Sequence, residues 1–328
     1  MIRKHKTLTA YFLALAIFTT YVMLDTFVIT RVYGSAEATD ADRIEVTQED
    51  SGQGVADADA DADGNSQNTR GADADDSAAS DPVITADSYS DGNISVTLNE
   101  YTVNDTAVHV AEVSLVSPEY LKTAFAEGAY GRNVTEATSE ISDSVDAILA
   151  INGDFYGTQE RGYVIRNGVL YRSEGSADRE DLVIYDDGSF GIISESEVSA
   201  EQLIEDGAVQ TLSFGPALVQ DGELTVDTDD EVGRAMASNP RTAIGVREDG
   251  TYLFVVSDGR TEESEGLSLY ELAEFMQEMG AVTAYNLDGG GSSTMVFNGT
   301  VVNDPTGGHA GHGSGSERSV SDIVYIGY

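Results

Sequence analysis

Five Asn-Gly or Asp-Gly dipeptides, at 167–168, 187–188, 221–222, 249–250 and 298–299, each stand between two runs rich in β-branched, aromatic and other apolar residues. A tight hairpin needs φ > 0 in its loop, which Asn, Asp and above all Gly adopt at low cost. The chain is thereby constrained to antiparallel strand pairs. Helical signals are fewer. Ser199-Ala200-Glu201-Gln202 and Ser268-Leu269-Tyr270-Glu271 read as capping boxes, with Gly207 and Gly280 as the stops. In the second, Leu269, Leu272, Phe275 or Met276, and Met279 form one apolar stripe suited to core packing. Few βαβ units can be drawn. The expected fold class is α+β: one mostly antiparallel, hairpin-rich domain with a few helices over residues 89–328.

Ahead of that domain the composition changes twice. Arg3, Lys4, His5 and Lys6 precede a mostly apolar run over residues 8–24, which continues past Asp25 as Phe27-Val28-Ile29. A cationic start before such a run is a signal peptide or a signal anchor. The length of the run favours an uncleaved anchor over residues 1–34. That predicts a single-pass cell-membrane protein with its domain outside, or a secreted one if cleavage follows Ala36. Residues 35–88 then collapse to Ala, Asp, Ser, Gly and Gln, with many acids against only Arg43 and Arg70. Such a segment buries too little apolar surface to offset its ordering entropy and is expected to be a self-repelling spacer. Within it, Asp59 to Gly64 imitates the start of a calcium loop, but Arg70 stands where the bidentate Glu is required, so the motif fails.

The charge balance excludes whole classes of function. With 17 Lys+Arg against 58 Asp+Glu, the formal net charge is −41, which rules out a nucleic-acid partner needing a cationic face. The chain has no cysteine, so disulfides, thiolate metal sites and a cysteine nucleophile are excluded. Its chemistry must come from carboxylates, arginines, hydroxyls and four histidines. His309 and His312 lie in a Gly-rich stretch without a placed third ligand, which reads as a loop, and His109 sits in an alternating strand as a structural residue. No cofactor or metal is expected, since nothing in the sequence supports a structural cation.

Three stretches are richer in chemistry than structure alone requires. Around Asn152-Gly153-Asp154-Phe155-Tyr156 a buried-looking strand runs into a polar turn, a rigid place from which to aim a carboxylate. Arg241 begins one strand of a predicted hairpin while Asp258 and Arg260 follow its partner, so two guanidiniums and a carboxylate converge at one rim. Plain salt bridges would produce the same pattern. Last, a strand delivers Asp288, followed by Gly289, Gly290, Gly291, Ser292 and Ser293. Three glycines allow backbone N–H groups to approach an anion as a nest, with the serines as extra donors.

Taken in order, these stretches together with Glu317-Arg318-Ser319-Val320-Ser321-Asp322 resemble the phosphodiester glycosidase family. Its members include lysosomal uncovering enzymes and bacterial proteins labelled exopolysaccharide biosynthesis. The resemblance implies hydrolysis of sugar-1-phosphodiesters at the glycosidic C–O bond, with a phosphodiester-linked envelope or extracellular glycan as partner. It assigns Asp288 or Asp258 as nucleophile or general base, with Asp154 as the candidate completing the pair. Arg241 and Arg260 become a phosphate clamp, and Gly289, Gly290, Gly291 and Ser292 a second donor set. Asn152 and Arg318 would line the cleft. The competing expectation is a non-catalytic surface protein that binds glycan or assists exopolysaccharide assembly.

Overall fold

The computed structural model describes residues 2–35, 81–177, 179–227, 238–307 and 315–328. All five predicted turns join antiparallel strands: Val164–Arg166 to Val169–Arg172, Glu180–Tyr185 to Phe190–Ser194, Ala217–Gln220 to Glu223–Leu224, Arg241–Arg247 to Tyr252–Ser257, and Met295–Phe297 to Thr300–Val301. Asn167, Asp221 and Asn298 take positive φ together with the glycine that follows, whereas at 187–188 and 249–250 only the glycine does. The dipeptide therefore predicts the hairpin better than the turn type.

Nine strands form the largest sheet, in the order Glu223–Leu224, Ala217–Gln220, Ala281–Asn286, Arg241–Arg247, Tyr252–Ser257, Thr106–Leu115, Ile94–Val103, Ser88–Ser90 and Val83–Ile84. A five-stranded sheet runs Thr300–Val301, Met295–Phe297, Leu149–Asn152, Asp322–Ile326 and Leu121–Phe125. Period-two alternation divides the large sheet between two cores. Ile244, Phe254 and Val256 face a core shared with Leu149, Ile151, Met295 and Val324 of the five-stranded sheet. Ala243, Leu253 and Val255 face the other way, onto the helix Leu269–Glu278. Leu269, Leu272, Phe275 and Met276 are buried there as the stripe predicts, and both halves of the Ser268–Glu271 capping box form. In the helix Ala200–Glu205 Ser199 caps the Gln202 N–H. The outer face of the five-stranded sheet packs Ala150, Val296 and Ile323 around Ile141 of the helix Thr138–Ser144. The layers thus run helix, sheet, sheet, helix, in agreement with an α+β expectation.

Two findings alter the picture at the N-terminus. A helix forms over Ile2–Phe27, and its apolar side chains from Phe12 to Leu24 are exposed. Among the described residues, however, no helix is long and apolar enough to cross a membrane, so the expected single-pass anchor is not supported. Thr9, Tyr11, Thr19, Thr20 and Tyr21 interrupt the apolar run and dilute its hydropathy. Second, Val83–Ile84, within the segment expected to be a spacer, joins the nine-stranded sheet. The failed calcium loop, His309 and His312 lie outside the described residues.

Candidate active site

The candidate residues come together because antiparallel pairing puts the start of one strand beside the end of the next. Arg241 pairs with Ser257, just before Asp258, and Ala243 pairs with Asn286, just before Asp288. Asn152 closes its strand opposite Ile323, beside Asp322. The rims of both sheets therefore meet at one end of the core.

Asn152 binds these rims together. It is fully buried, its amide donates to the Asp288 carbonyl at 2.6 Å, and its Oδ1 accepts from Thr242 Oγ1 at 2.8 Å. Buried amides with every group satisfied fix geometry. Asn152 thus positions Asp288 from behind.

The Asp288 carboxylate accepts from Arg318 Nη2 at 2.7 Å and from Ser292 Oγ at 2.7 Å. Ser292 in turn accepts from Arg318 Nε at 2.8 Å. Burial raises the Asp288 pKa above the ordinary carboxylate value, against the opposing pull of Arg318 and Ser292. The Arg318 side chain remains 45% exposed and that of Asp288 13%. Both line a small cavity of about 50 Å³ with Gly153, Asp154, Phe155 and Asp322.

Of the three glycines of the expected nest, Gly290 has its N–H engaged within the scaffold. Gly290 N–H donates to the Pro240 carbonyl at 2.8 Å, and the N–H groups of Ser292 and Ser293 bond within the turn. What the glycines permit is close approach. A Cβ on Gly290, at φ +64°, would lie 2.8 Å from Arg260 Nη2. One on Gly289 would lie 2.9 Å from the Pro240 carbonyl and 3.9 Å from Arg241 Cδ. One on Gly291 would lie 3.6 Å from Arg318 Cδ. Three arginines far apart in sequence therefore close around a single turn, and side chains there would hold them off. Arg260 is exposed and donates to Asn239 Oδ1 at 3.0 Å, while Arg241 is buried and donates from Nε to the Leu267 carbonyl at 2.8 Å.

Comparison with known proteins decides the family. The sequence profile of the phosphodiester glycosidase family matches residues 146–327. The chain belongs to this family. It is 34% identical over 173 residues to mouse N-acetylglucosamine-1-phosphodiester alpha-N-acetylglucosaminidase, covering 48% of this chain and 33% of that protein. It is 30% identical over 204 residues to the SPbeta prophage-derived uncharacterized protein YomE of Bacillus subtilis, covering 61% of this chain and 31% of that protein. The chain thus spans about a third of the length of these relatives. In fold it is similar to the catalytic domain of the zebrafish N-acetylglucosamine-1-phosphodiester alpha-N-acetylglucosaminidase, with a TM-score of 0.57, 22% identity, and coverage of 72% of this chain and 83% of that one.

Two aspartates that the family resemblance assigned to catalysis have other engagements. Asp258 accepts from Asn303 Nδ2 at 3.2 Å and from the Asp304 N–H at 2.9 Å, and lies 3.4 Å from His109 Nε2. It is absent from the lining of the Asp288 cavity and braces the adjoining loop. Asp154 lies at the cavity wall but is held by Arg166 Nη2 at 3.0 Å, by the Tyr156 N–H at 2.9 Å and by the Ser213 N–H at 2.8 Å. Arg166 also pairs with Asp322 at 2.7 Å, and all three side chains are buried. Burial, with the charge of Asp154, pushes Asp322 up to about 7 against the pull of Arg166. Arg166, which no local pattern marked, is therefore the central cation beneath the site. Among the described residues no group of three or more His, Asp or Glu side chains is arranged to hold a metal ion.

A further buried acid adjoins this scaffold. Asp181 is fully buried. Burial and the charge of Glu195 push its pKa up to about 9, so the folded chain holds a proton there that an unfolded Asp releases near 3.8. Its contribution to stability is complete below pH 3.8 and is lost progressively as pH rises to about 9. The melting temperature should fall from pH 6 to pH 9, and Asp181→Asn should raise it at pH 8 and flatten the slope. Thermal melts across that range check this, and parallel slopes for the two proteins would refute it.

Proposed function

We propose that this chain hydrolyses sugar-1-phosphodiesters at the glycosidic C–O bond, with Asp288 as the acting carboxylate and Arg318 as its phosphate-binding partner. The observation that carries the reading is the convergence of Arg318, Arg260 and Arg241 on the turn that follows Asp288. In a chain of net charge −41 most of the surface repels an anionic substrate, so a local cluster of guanidiniums decides where a phosphodiester binds. The exposed heads of Arg318 and Arg260 offer positive charge to phosphate oxygens. Buried Arg241 adds positive potential from behind the turn.

The chemistry follows from the leaving group. A phosphate is already a good one, so the C1–O bond breaks with its electron pair passing to a phosphate oxygen that the arginines neutralise. Asp288 faces the developing oxocarbenium centre as nucleophile, or as the base that takes the proton of the attacking water. Free sugar and a phosphomonoester result. Phe155 and Phe214, both 40% exposed, meet edge to face with ring centroids 6.5 Å apart and offer an apolar wall to a sugar ring at the cavity mouth. Envelope or extracellular glycans joined through phosphodiesters are the substrate class with this chemistry. That the relatives from mouse and zebrafish are named for a sugar-1-phosphodiester supports the same reading.

The test is incubation of the chain with a panel of sugar-1-phosphodiesters in ¹⁸O-labelled water. Free sugar carrying the label is expected. Label in the phosphate would mean P–O cleavage, and binding without any sugar release would mean a glycan-binding protein.

A further inference from the structure

A second cavity, about 340 Å³, shares the 156–160 turn with the Asp288 cavity but none of its lining residues. The strands Arg31–Ser35 and Ala129–Arg132, which pair antiparallel, form one wall. Two features of its lining stand out.

The first is charge. Although the chain has 17 basic residues against 58 acidic ones, Arg31, Arg132 and Arg172 face this cavity with a single acid, Glu160. Glu160 pairs with Arg132 at 3.0 Å. Arg172 is nine-tenths buried and forms no ion pair among the described residues. Its Nε donates to the Gly162 carbonyl, and its Nη1 to the carbonyls of Gln159 at 2.6 Å and Tyr156 at 3.3 Å. Its Nη2 is buried and makes no hydrogen bond among the described residues. A desolvated guanidinium held rigidly by three carbonyls and paired with no carboxylate gives the cavity wall a positive charge that favours an anion close by.

The second is an aromatic wall. Tyr130 stacks on Tyr156 at 5.5 Å with an interplanar angle of 17°, and Tyr33 lies over Tyr130 at 5.9 Å. Rings of this kind present flat apolar faces together with hydroxyl groups, the surface that the alternating C–H and O–H faces of a sugar match. A volume of about 340 Å³ accommodates one sugar with its phosphate.

We propose that this cavity is a second saccharide site, separate from the Asp288 cavity, that takes a phosphate-bearing sugar. The phosphate sits against Arg172 with Arg31 and Arg132 at its flanks, and the sugar ring lies on Tyr33 and Tyr130. Such binding depends on this cavity alone, whether or not the chain is a hydrolase.

The test is calorimetric titration of glucose 1-phosphate, inorganic phosphate and glucose into the full chain carrying Arg318→Ala, which weakens anion binding at the Asp288 cavity. One equivalent of glucose 1-phosphate should bind, more tightly than either of the other two. Adding Arg31→Ala and Tyr33→Ala, both changes on a peripheral strand, should weaken it about tenfold or more, whereas adding Arg260→Ala should leave it unchanged. In the otherwise unaltered chain the Arg31→Ala/Tyr33→Ala pair should leave sugar release unchanged. The proposal fails if nothing binds, or if Arg260→Ala weakens binding while the Arg31/Tyr33 pair does not. Equal affinity for inorganic phosphate would remove the sugar from the proposal, and equal affinity for glucose would remove the anion.

Discussion

Asp288→Asn is expected to lower kcat on a sugar-1-phosphodiester by about 10³-fold or more, since a positioned carboxylate contributes on that scale or above it. The same change should leave the melting temperature equal or higher. Burial raises the pKa of Asp288, so its ionised form is held at a cost to the fold, and a neutral amide of the same shape relieves that cost. The amide oxygen can still accept from Arg318 and Ser292, which keeps the turn in place. The elevated pKa also sets the acid limb of the activity profile. If the carboxylate form acts, kcat should fall as pH drops through a value above the ordinary 3.8. A rate within tenfold of the parent, with melting unchanged, would remove Asp288 from the chemistry.

The largest effect on stability is expected at Arg166. Its side chain is fully buried between Asp154 at 3.0 Å and Asp322 at 2.7 Å. Arg166→Met keeps much of the volume but leaves two carboxyl groups buried and facing each other. Removing one partner from a buried ionic group typically costs about 3–5 kcal/mol, a large part of the roughly 5–15 kcal/mol that holds a domain together. The melting temperature should fall by about 10 °C or more. The defect should be smaller at pH 5 than at pH 8, because Asp322, already pushed up to about 7, can then be protonated in place. Adding Asp154→Asn and Asp322→Asn should restore part of the loss, which separates charge from packing. Equal destabilisation at both pH values would refute the electrostatic account.

The scaffold and the site were legible to different degrees, for a physical reason. Hairpins at Asn167-Gly168 and Asn298-Gly299, and the helix capped by Ser268 and Glu271, follow from φ preferences and capping bonds confined to a few neighbouring residues. Such signals are written in consecutive residues and survive any tertiary context. Antiparallel registry sets Arg241 beside Ser257, next to Asp258, and Ala243 beside Asn286, two residues before Asp288, because it fixes which strand ends are neighbours. What each residue does there was a different matter. The three glycines suggested backbone donors for an anion, and the fold adds a second reason for them, room for arginine side chains arriving from residues 241, 260 and 318.

By itself, then, the sequence determined the strand pairs, the helix ends, the strongly acidic charge balance, and the list of residues able to do chemistry. Only the tertiary structure decided which carboxylate faces a cavity and which supports the floor beneath it. Asn152 meets the Asp288 carbonyl across 136 positions and Arg166 meets Asp322 across 156. Whether such distant groups pair depends on how two sheets stack, which sets burial and hence the cost of every unpaired charge, and no local pattern of residues carries that information.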